Sequence, residues 1–150
     1  MSRIAGSFIG LVVCVWGISL FCFPPYASAQ LSEDVSAARN EAESIASGGD
    51  VLAALDYYEP VFVSMEADTP NASDGVLFLK SLITDYSEND EQRGKARLKF
   101  YDILNRAAKA NASLHQEVID DFSSLPENEP SLAAVESETV IEVARAHMCL

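Results

Sequence analysis

Apolar residues recur at the spacing of an α-helix along most of the chain that follows residue 30. Ser32 is expected to cap a first helix, and the pair Gly48-Gly49 is expected to end it. The apolar residues between these signals fall on one helical face, namely Val35, Ala38, Ala42 and Ile45. The pattern therefore predicts an amphipathic first helix.

A second helix is predicted directly after the glycines, with Asp50 as its N-cap. Its apolar face consists of Val51, Leu55, Tyr58, Phe62 and Met65. Pro60 lies within this series and lacks the backbone N–H of a helix interior, so we expect a kink or a break there. An extended segment over residues 61–63 is the alternative.

Residues 67–75 are rich in turn formers and predict a loop. The helix after it is apolar on more than one side and is expected to be the most buried element. Its apolar residues are Val76, Phe78, Leu79, Leu82, Ile83 and Tyr86.

Three further helices and a linker complete the pattern. A fourth helix is predicted over residues 90–110, with Ala96, Phe100, Ile103 and Ala107 facing inward. Ser113 and Gln116 fit a capping box for a helix that ends near Phe122. The stretch SSLPENEPS, residues 123–131, predicts a linker. The last helix carries Leu132, Val135, Thr139, Val143 and Ala146.

These elements predict an all-α fold of about five helices in antiparallel hairpins. We expect one domain over residues 30–150, with hairpins over residues 30–110 and C-terminal helices over residues 111–150. Residues 1–29 read as a signal peptide. Arg3 precedes an apolar stretch over residues 4–23, and Ala27-Ser28-Ala29 follows as a cleavage site. The apolar stretch is also long enough for a retained membrane anchor, which is the alternative.

Charge narrows the range of partners. Residues 30–150 carry all 23 acidic residues against nine Lys and Arg, a formal charge of −14. Nucleic acids and anionic lipid surfaces attract clustered cations, so we expect neither nucleic acid nor, after signal cleavage, a membrane as partner.

One stretch resembles a known family. Gly49-Asp50, then Ala54, then Tyr57-Tyr58, resembles the second half of a tetratricopeptide repeat. The small residue of that family's first helix falls on Ala42, and Ile45 falls where the family usually has tyrosine. The resemblance implies that Ala42, Ile45, Ala54 and Tyr58 are helix-packing residues, and that a concave surface binds a protein partner.

The resemblance covers residues 35–65 and is weak beyond them. Ala38 and Glu41 stand where the family favours Trp and Leu, and Pro60 interrupts the second helix. A later unit built on Ala96 is offset from Ala54 by 42 residues, against a repeat of about 34. A generic helical bundle with one tight hairpin would show the same pattern.

Candidate chemistry is sparse. The sequence contains no phosphate-binding loop and no nucleophile elbow, and His115 and His147 lack a metal-ligand spacing, so we expect no enzyme, cofactor or metal. The alternative is a small hydrolase or metal carrier that uses His147 and Cys149 at the C-terminus.

A basic strip is the main charge feature, and it consists of Arg93, Lys95, Arg97, Lys99, Arg106 and Lys109. We favour pairing of these side chains with the protein's own acids. The alternative is that Arg93, Lys95, Arg97 and Lys99 dock an acidic partner.

Cys149 is the single cysteine after residue 29. We expect an accessible thiol that can form an intermolecular disulfide in a homodimer; burial is the alternative. Asn71 and Asn111 begin Asn-Ala-Ser glycosylation acceptors, which matter only in a host that exports through an endoplasmic reticulum.

Together these patterns predict a secreted or periplasmic, non-enzymatic protein. We expect it to act as a protein-interaction or structural module of the cell envelope or exterior. If the N-terminal segment is retained, the protein is instead anchored in the membrane.

Overall fold

The computed structural model describes residues 26–68 and 73–150, and this part of the chain contains helices and turns but no strand. The prediction of an all-α protein is therefore confirmed. The six α-helices are α1 (Tyr26–Ser47), α2 (Val51–Val61), α3 (Ser73–Tyr86), α4 (Asp90–Ala107), α5 (Ser113–Ser123) and α6 (Glu136–Cys149). No helix in these two ranges combines the length and apolarity needed to cross a membrane.

Most of the predicted signal segment, residues 1–25, lies outside the described residues, as does Asn71. The described part of α1 already begins at Tyr26, so Ser32 lies inside the helix and the expected cap at Ser32 is wrong. Ala27, Ala29, Gln30 and Leu31 all favour helix, and they allow α1 to begin well before Ser32.

The connection between α1 and α2 follows the predicted signals. Gly49 has a φ of 96°, a left-handed conformation that glycine adopts without steric cost. The Asp50 side chain accepts a hydrogen bond from the backbone N–H of Ala53 over 2.9 Å, which confirms the N-cap. The Gln92 amide on α4 also donates to the Gly49 carbonyl oxygen over 2.8 Å, so this turn is fixed to the rest of the fold.

Pro60 lies inside α2, and the chain stays helical beyond it. The segment Phe62–Glu66 forms a π-helical turn, in which the N–H of Ala67 donates to the carbonyl oxygen of Phe62. The extended alternative over residues 61–63 is therefore wrong. Because proline cannot donate to the preceding turn, the regular α-helical ladder is interrupted at this point.

Helix α4 lies at the centre of the fold. It contacts α2, α3, α5 and α6, whereas α1 packs against α2 and α3. Both predicted faces of α3 lie in the core, but α4 is buried to a similar extent, so α3 does not stand out as the most buried element. The largest fully buried side chains include Tyr58, Phe62, Phe100 and Tyr101. A single core thus runs from α1 to α6.

The start of α5 differs from the predicted capping box. Ser113 is already the first helical residue, and the Asn111 side chain accepts from both the N–H and the hydroxyl of Ser113. The Gln116 amide donates to Asp120 on its own helix instead of reaching back. Asn111 forms an Asx-type turn, in which its side-chain oxygen accepts from the N–H two residues on.

The linker between α5 and α6 packs against the rest of the fold. Its Pro130–Leu132 segment forms a 3-10 turn that packs on α4, and Ser131 is 1% exposed. A Cβ atom on Gly94 would lie 1.7 Å from the Ser131 carbonyl oxygen. Only glycine at position 94 allows the two backbones to approach this closely.

Candidate functional site

The four residues singled out by the repeat resemblance lie in the interior of the N-terminal helices. Ala42, Ala54 and Tyr58 have no exposed surface, and Ile45 is half-buried against the core. The small side chains at positions 42 and 54 fit the close packing of α1 on α2. These residues therefore hold helices together and offer little surface to a partner.

Tyr58 also belongs to a polar cluster that the apolar pattern does not show. The Tyr58 hydroxyl donates to a carboxylate oxygen of Glu66, and Arg39 donates to the same oxygen over 2.7 Å. Arg39 Nε additionally lies 3.1 Å from the Tyr58 oxygen. Burial, together with the bond to Glu66, raises the pKa of Tyr58 far above its usual value. Tyr58 is thus a neutral hydrogen-bond donor in this cluster.

Phe78 on α3 completes this cluster. Its ring lies edge-on to Tyr58, with the centroids 4.7 Å apart, and the Arg39 guanidinium lies 5.2 Å from the Phe78 centroid. Burial opposes the charge of Arg39, but its bonds to Tyr58 and Glu66 outweigh this and raise its pKa. The cluster connects α1, α2 and α3, which is a structural role.

The basic strip is largely paired within the protein. Arg93 and Lys95 contact acids one turn earlier on α4, at Asp90 and Glu91. Arg97 lies 3.7 Å from Asp121 on α5. Each of these contacts uses a carboxylate of the same chain, which is the arrangement that we favoured for the strip.

The strip also reaches α2. Lys99 pairs with Asp56 and, over 3.3 Å, with Glu59. Arg106 contacts the same Glu59 over 2.7 Å and Asp102 over 2.6 Å. Burial opposes charge on Lys99, but the two carboxylates outweigh it and raise the pKa of Lys99. Lys99 is 24% exposed, so little of it remains for an acidic partner.

Asp121 on α5 also contacts several polar side chains from other helices. The Tyr101 hydroxyl donates to Asp121 over 2.8 Å, and Lys80 on α3 lies 3.1 Å from the same carboxylate. Burial and the negative charge of Asp121 raise the pKa of Tyr101 far above its usual value. The adjoining cavity of about 90 Å³, lined in part by Lys80, Arg97 and Phe100, is too small for most substrates.

His115 is part of a buried link between α4, α5 and α6. Its Nδ1 lies 3.0 Å from the Asn105 side-chain oxygen, and Asn105 in turn donates to Glu142. Arg145 forms an ion pair with the Glu142 carboxylate over 2.8 Å. Since all three buried polar side chains have partners, this group ties helices together.

A groove of about 570 Å³ opens between the end of α5, the linker and the start of α6. Its volume falls within the range of roughly 300–1,000 Å³ that is usual for ligand sites. The apolar part of its lining consists of Phe122, Leu125, Pro126, Pro130, Leu132, Ala133 and Val140. Val140 is 50% exposed, so the groove presents apolar surface to solvent.

The charged part of the groove lining is entirely acidic. Among the described residues it contains Glu127, Glu129 and Glu136 and no Lys or Arg. The Ser131 hydroxyl donates to Glu129 over 2.7 Å and lowers its pKa, with Arg97 and Arg93 adding to the effect. Glu127 and Glu136 are exposed, and no ion pair to either is found in the part of the chain described.

The C-terminal residues do not converge on a site. Cys149 is exposed and free, so the alternative of a buried cysteine is wrong. His147 and Met148 are also exposed, whereas His115 is buried against Asn105. Within residues 26–68 and 73–150, no group of three or more His, Cys, Asp or Glu is arranged to hold a metal ion.

Comparison with known proteins does not assign a family. No protein-family model, no curated protein and no solved structure matches the chain.

Sequence reasoning missed both the groove and the Arg39–Glu66 pair. Glu66 follows Phe62 at helical spacing, so a charged residue on the inward face was visible in the pattern. The groove residues have a weaker signal, which is the mixture of leucine, proline and glutamate in residues 123–131. Their convergence depends on how the linker folds back on α4.

Proposed function

We propose that this protein is an exported, non-enzymatic helical module that binds another protein through the groove between α5 and α6. The observation that carries the proposal is an open groove that exposes apolar side chains from α5, the linker and α6 and whose charged lining is acidic. Solvent-exposed apolar surface of this kind, rimmed by polar residues, is typical of binding sites.

Export is supported by the sequence of the N-terminus. Arg3, the apolar residues 4–23 and Ala27-Ser28-Ala29 have the order of a cleavable signal, which favours a secreted or periplasmic protein. Retention of residues 4–23 would give the same module a membrane anchor. Sequencing the N-terminus of the exported protein distinguishes these cases, because cleavage leaves Gln30 as the first residue.

A role in binding also fits the use made of the interior polar groups. Tyr58, Tyr101 and His115 are the most chemically capable buried side chains, and each is bonded to a residue on another helix or helical turn. These bonds connect neighbouring helices.

We further propose that the N-terminal helices form hairpins of the tetratricopeptide type, which act as scaffold. The resemblance over residues 35–65 and the packing of α1 on α2 support this arrangement. The groove lies outside that stretch, at residues 122–140. The binding surface is thus placed on the C-terminal part of the domain.

Site-specific photo-crosslinking in the native compartment tests the function. A photoreactive residue at position 140, in the groove, should capture a protein partner. The same residue at position 77 is the control, because Leu77 on α3 is also exposed, at 63%, but does not line the groove. Absence of an adduct from position 140, or equal adducts from both positions, would contradict the proposal.

A further inference from the structure

The geometry points to a cationic occupant: we infer that the groove binds a protein segment in which large apolar side chains alternate with Lys or Arg. This inference rests on the proposed function and specifies the chemistry of the partner. It is argued from the shape of the groove, from its charges and from the distribution of cations in the rest of the chain.

The apolar lining sets the first requirement. Phe122, Leu125, Leu132 and Val140 come from α5, the linker and α6, so they surround the space from three elements. A side chain that enters this space leaves water on several sides, which favours a large apolar residue. A uniformly polar segment would gain little from such a surface.

The unpaired carboxylates set the second requirement. Glu127 and Glu136 lie on the groove and are exposed, whereas Glu129 is already compensated by Ser131 and the nearby arginines. A segment with positive charges beside its apolar residues would place them against Glu127 and Glu136. An acidic segment would be repelled.

Few Lys or Arg side chains of the described residues are left to pair with Glu127 and Glu136. Eight of the nine Lys and Arg after residue 29 already form ion pairs with carboxylates of the same chain. Lys109 is the ninth, and it does not line the groove. Glu127 and Glu136 are solvated by water in the free protein, and a cationic group that pairs with them would come from a bound partner.

The groove is also held in shape before a partner arrives. Ser131 packs against Gly94 at backbone contact, and Arg97 on α4 donates to the Ser131 hydroxyl over 3.2 Å. The linker wall of the groove is thus fixed to the central helix. A partner segment does not have to order this wall on binding, which favours affinity.

Synthetic peptides test the inference directly. The probe is a short labelled peptide that alternates leucine with lysine, and its binding to the protein is followed by fluorescence polarisation. One control peptide replaces every leucine with serine, and a second replaces every lysine with glutamate. We expect the leucine–lysine peptide to bind at least about tenfold more tightly than either control, and more weakly as salt rises.

Matched variants place the binding at the groove. Glu127→Gln with Glu136→Gln should weaken the leucine–lysine peptide by about tenfold. Glu41→Gln with Glu43→Gln removes the same charge from the exposed face of α1 and should change binding less than about twofold. Val140→Ser should likewise weaken binding by about tenfold, and Leu77→Ser should leave it unchanged.

Several results would overturn the inference. These are equal binding of the three peptides, equal losses from the groove and α1 variants, or tighter binding of anionic vesicles or duplex DNA than of the leucine–lysine peptide. Crosslinking separates the two proposals. If position 140 captures a protein through an acidic or uncharged segment, the inference fails and the proposed function stands; if it captures nothing, the proposed function fails.

Discussion

Asn105 on α4 donates its side-chain amide to two oxygens of Glu142 on α6, the backbone carbonyl and a carboxylate, each over 2.9 Å. The Asn105 oxygen faces His115 Nδ1 on α5. One side chain thus satisfies polar groups from two other helices at a buried point. Removal of this side chain breaks hydrogen bonds to two other helices at once.

We expect Asn105→Leu to lower the free energy of unfolding by about 2–3 kcal/mol, because His115 Nδ1 would stay buried without Asn105 and Glu142 would keep only its pair with Arg145. Gln116→Leu is the control, since its amide is exposed and bonds to Asp120 on the same helix. It should cost less than about 0.5 kcal/mol. Urea unfolding followed by circular dichroism measures both, and equal losses would contradict a special role for Asn105.

Charge reversal distinguishes the two accounts of the basic strip. Lys99→Glu would add a third carboxylate beside Asp56 and Glu59 and should cost roughly 1–3 kcal/mol of stability, more at low salt. Lys95→Glu alters an exposed pair with Glu91 within one helix and should cost about 0.5 kcal/mol or less. If neither change affects unfolding while partner capture is lost, the strip docks an acidic partner.

The contact between α4 and the linker can be tested at position 94. Gly94→Ala introduces a methyl group where the Ser131 carbonyl oxygen lies, so the linker must move. We expect a loss of about 1–3 kcal/mol in stability from this overpacking. Binding of the leucine–lysine peptide should weaken as well, because Ser131 lies between groove residues Pro130 and Leu132. Unchanged stability and binding would mean that the linker is not clamped.

Alkaline pH should destabilise the fold. The pKa values of Tyr58 and Tyr101 are raised by burial first and then by nearby carboxylates, whereas an unfolded tyrosine ionises near pH 10. Their contribution to stability is therefore complete below about pH 10 and is lost as the pH rises above it. The raised pKa of Lys99 acts in the same direction.

Urea unfolding at several pH values above neutrality checks this expectation. Tyr101→Phe should lower stability near neutral pH by about 1 kcal/mol, through loss of the bond to Asp121, and should make the alkaline decline less steep. Tyr57→Phe is the control, because Tyr57 is 45% exposed and its loss should leave the decline unchanged. If stability fell equally steeply with alkaline pH in the unsubstituted protein, Tyr101→Phe and Tyr57→Phe, Tyr101 would not be a source of the alkaline decline.

Cys149 offers a test of self-association. Because the thiol is exposed, it should react with a thiol reagent in the folded protein. In an oxidising compartment we expect a disulfide-linked homodimer on non-reducing electrophoresis, absent after Cys149→Ser. A band at monomer mass together with a thiol that reacts only after unfolding would exclude both the dimer and the accessibility.

Local signals in the sequence predicted the helices well. Asp50 and Gly49 act at short range, so the turn between α1 and α2 follows from residue types and their spacing. The predicted cap at Ser113 was wrong for an equally local reason, because the Asn111 side chain accepts from the Ser113 N–H that a capping box would use. The helical spacing of apolar residues also predicted positions in the core, including Phe100 and Ile103 on α4.

The contacts that shape the candidate site lie beyond such signals. Arg39 and Glu66 are 27 positions apart, and Arg97 and Ser131 are 34 apart. Periodicity shows which side of a helix is buried, but it does not show which helices meet. The groove depends on the path of the linker over α4, which the composition of residues 123–131 does not specify.

The π-helical turn at Phe62–Glu66 has a consequence for insertions and deletions. An α-helix turns about 100° per residue, and a π-helical turn holds one more residue between bonded groups than an α-helical turn does. Deletion of one residue there would convert the bond from Ala67 to Phe62 into an ordinary α-helical one and leave the flanking residues on about the same side, because the turn itself holds the extra residue. The segment Phe62–Glu66 is therefore the place in this helix where the chain can lose one residue without rotating the residues that flank it.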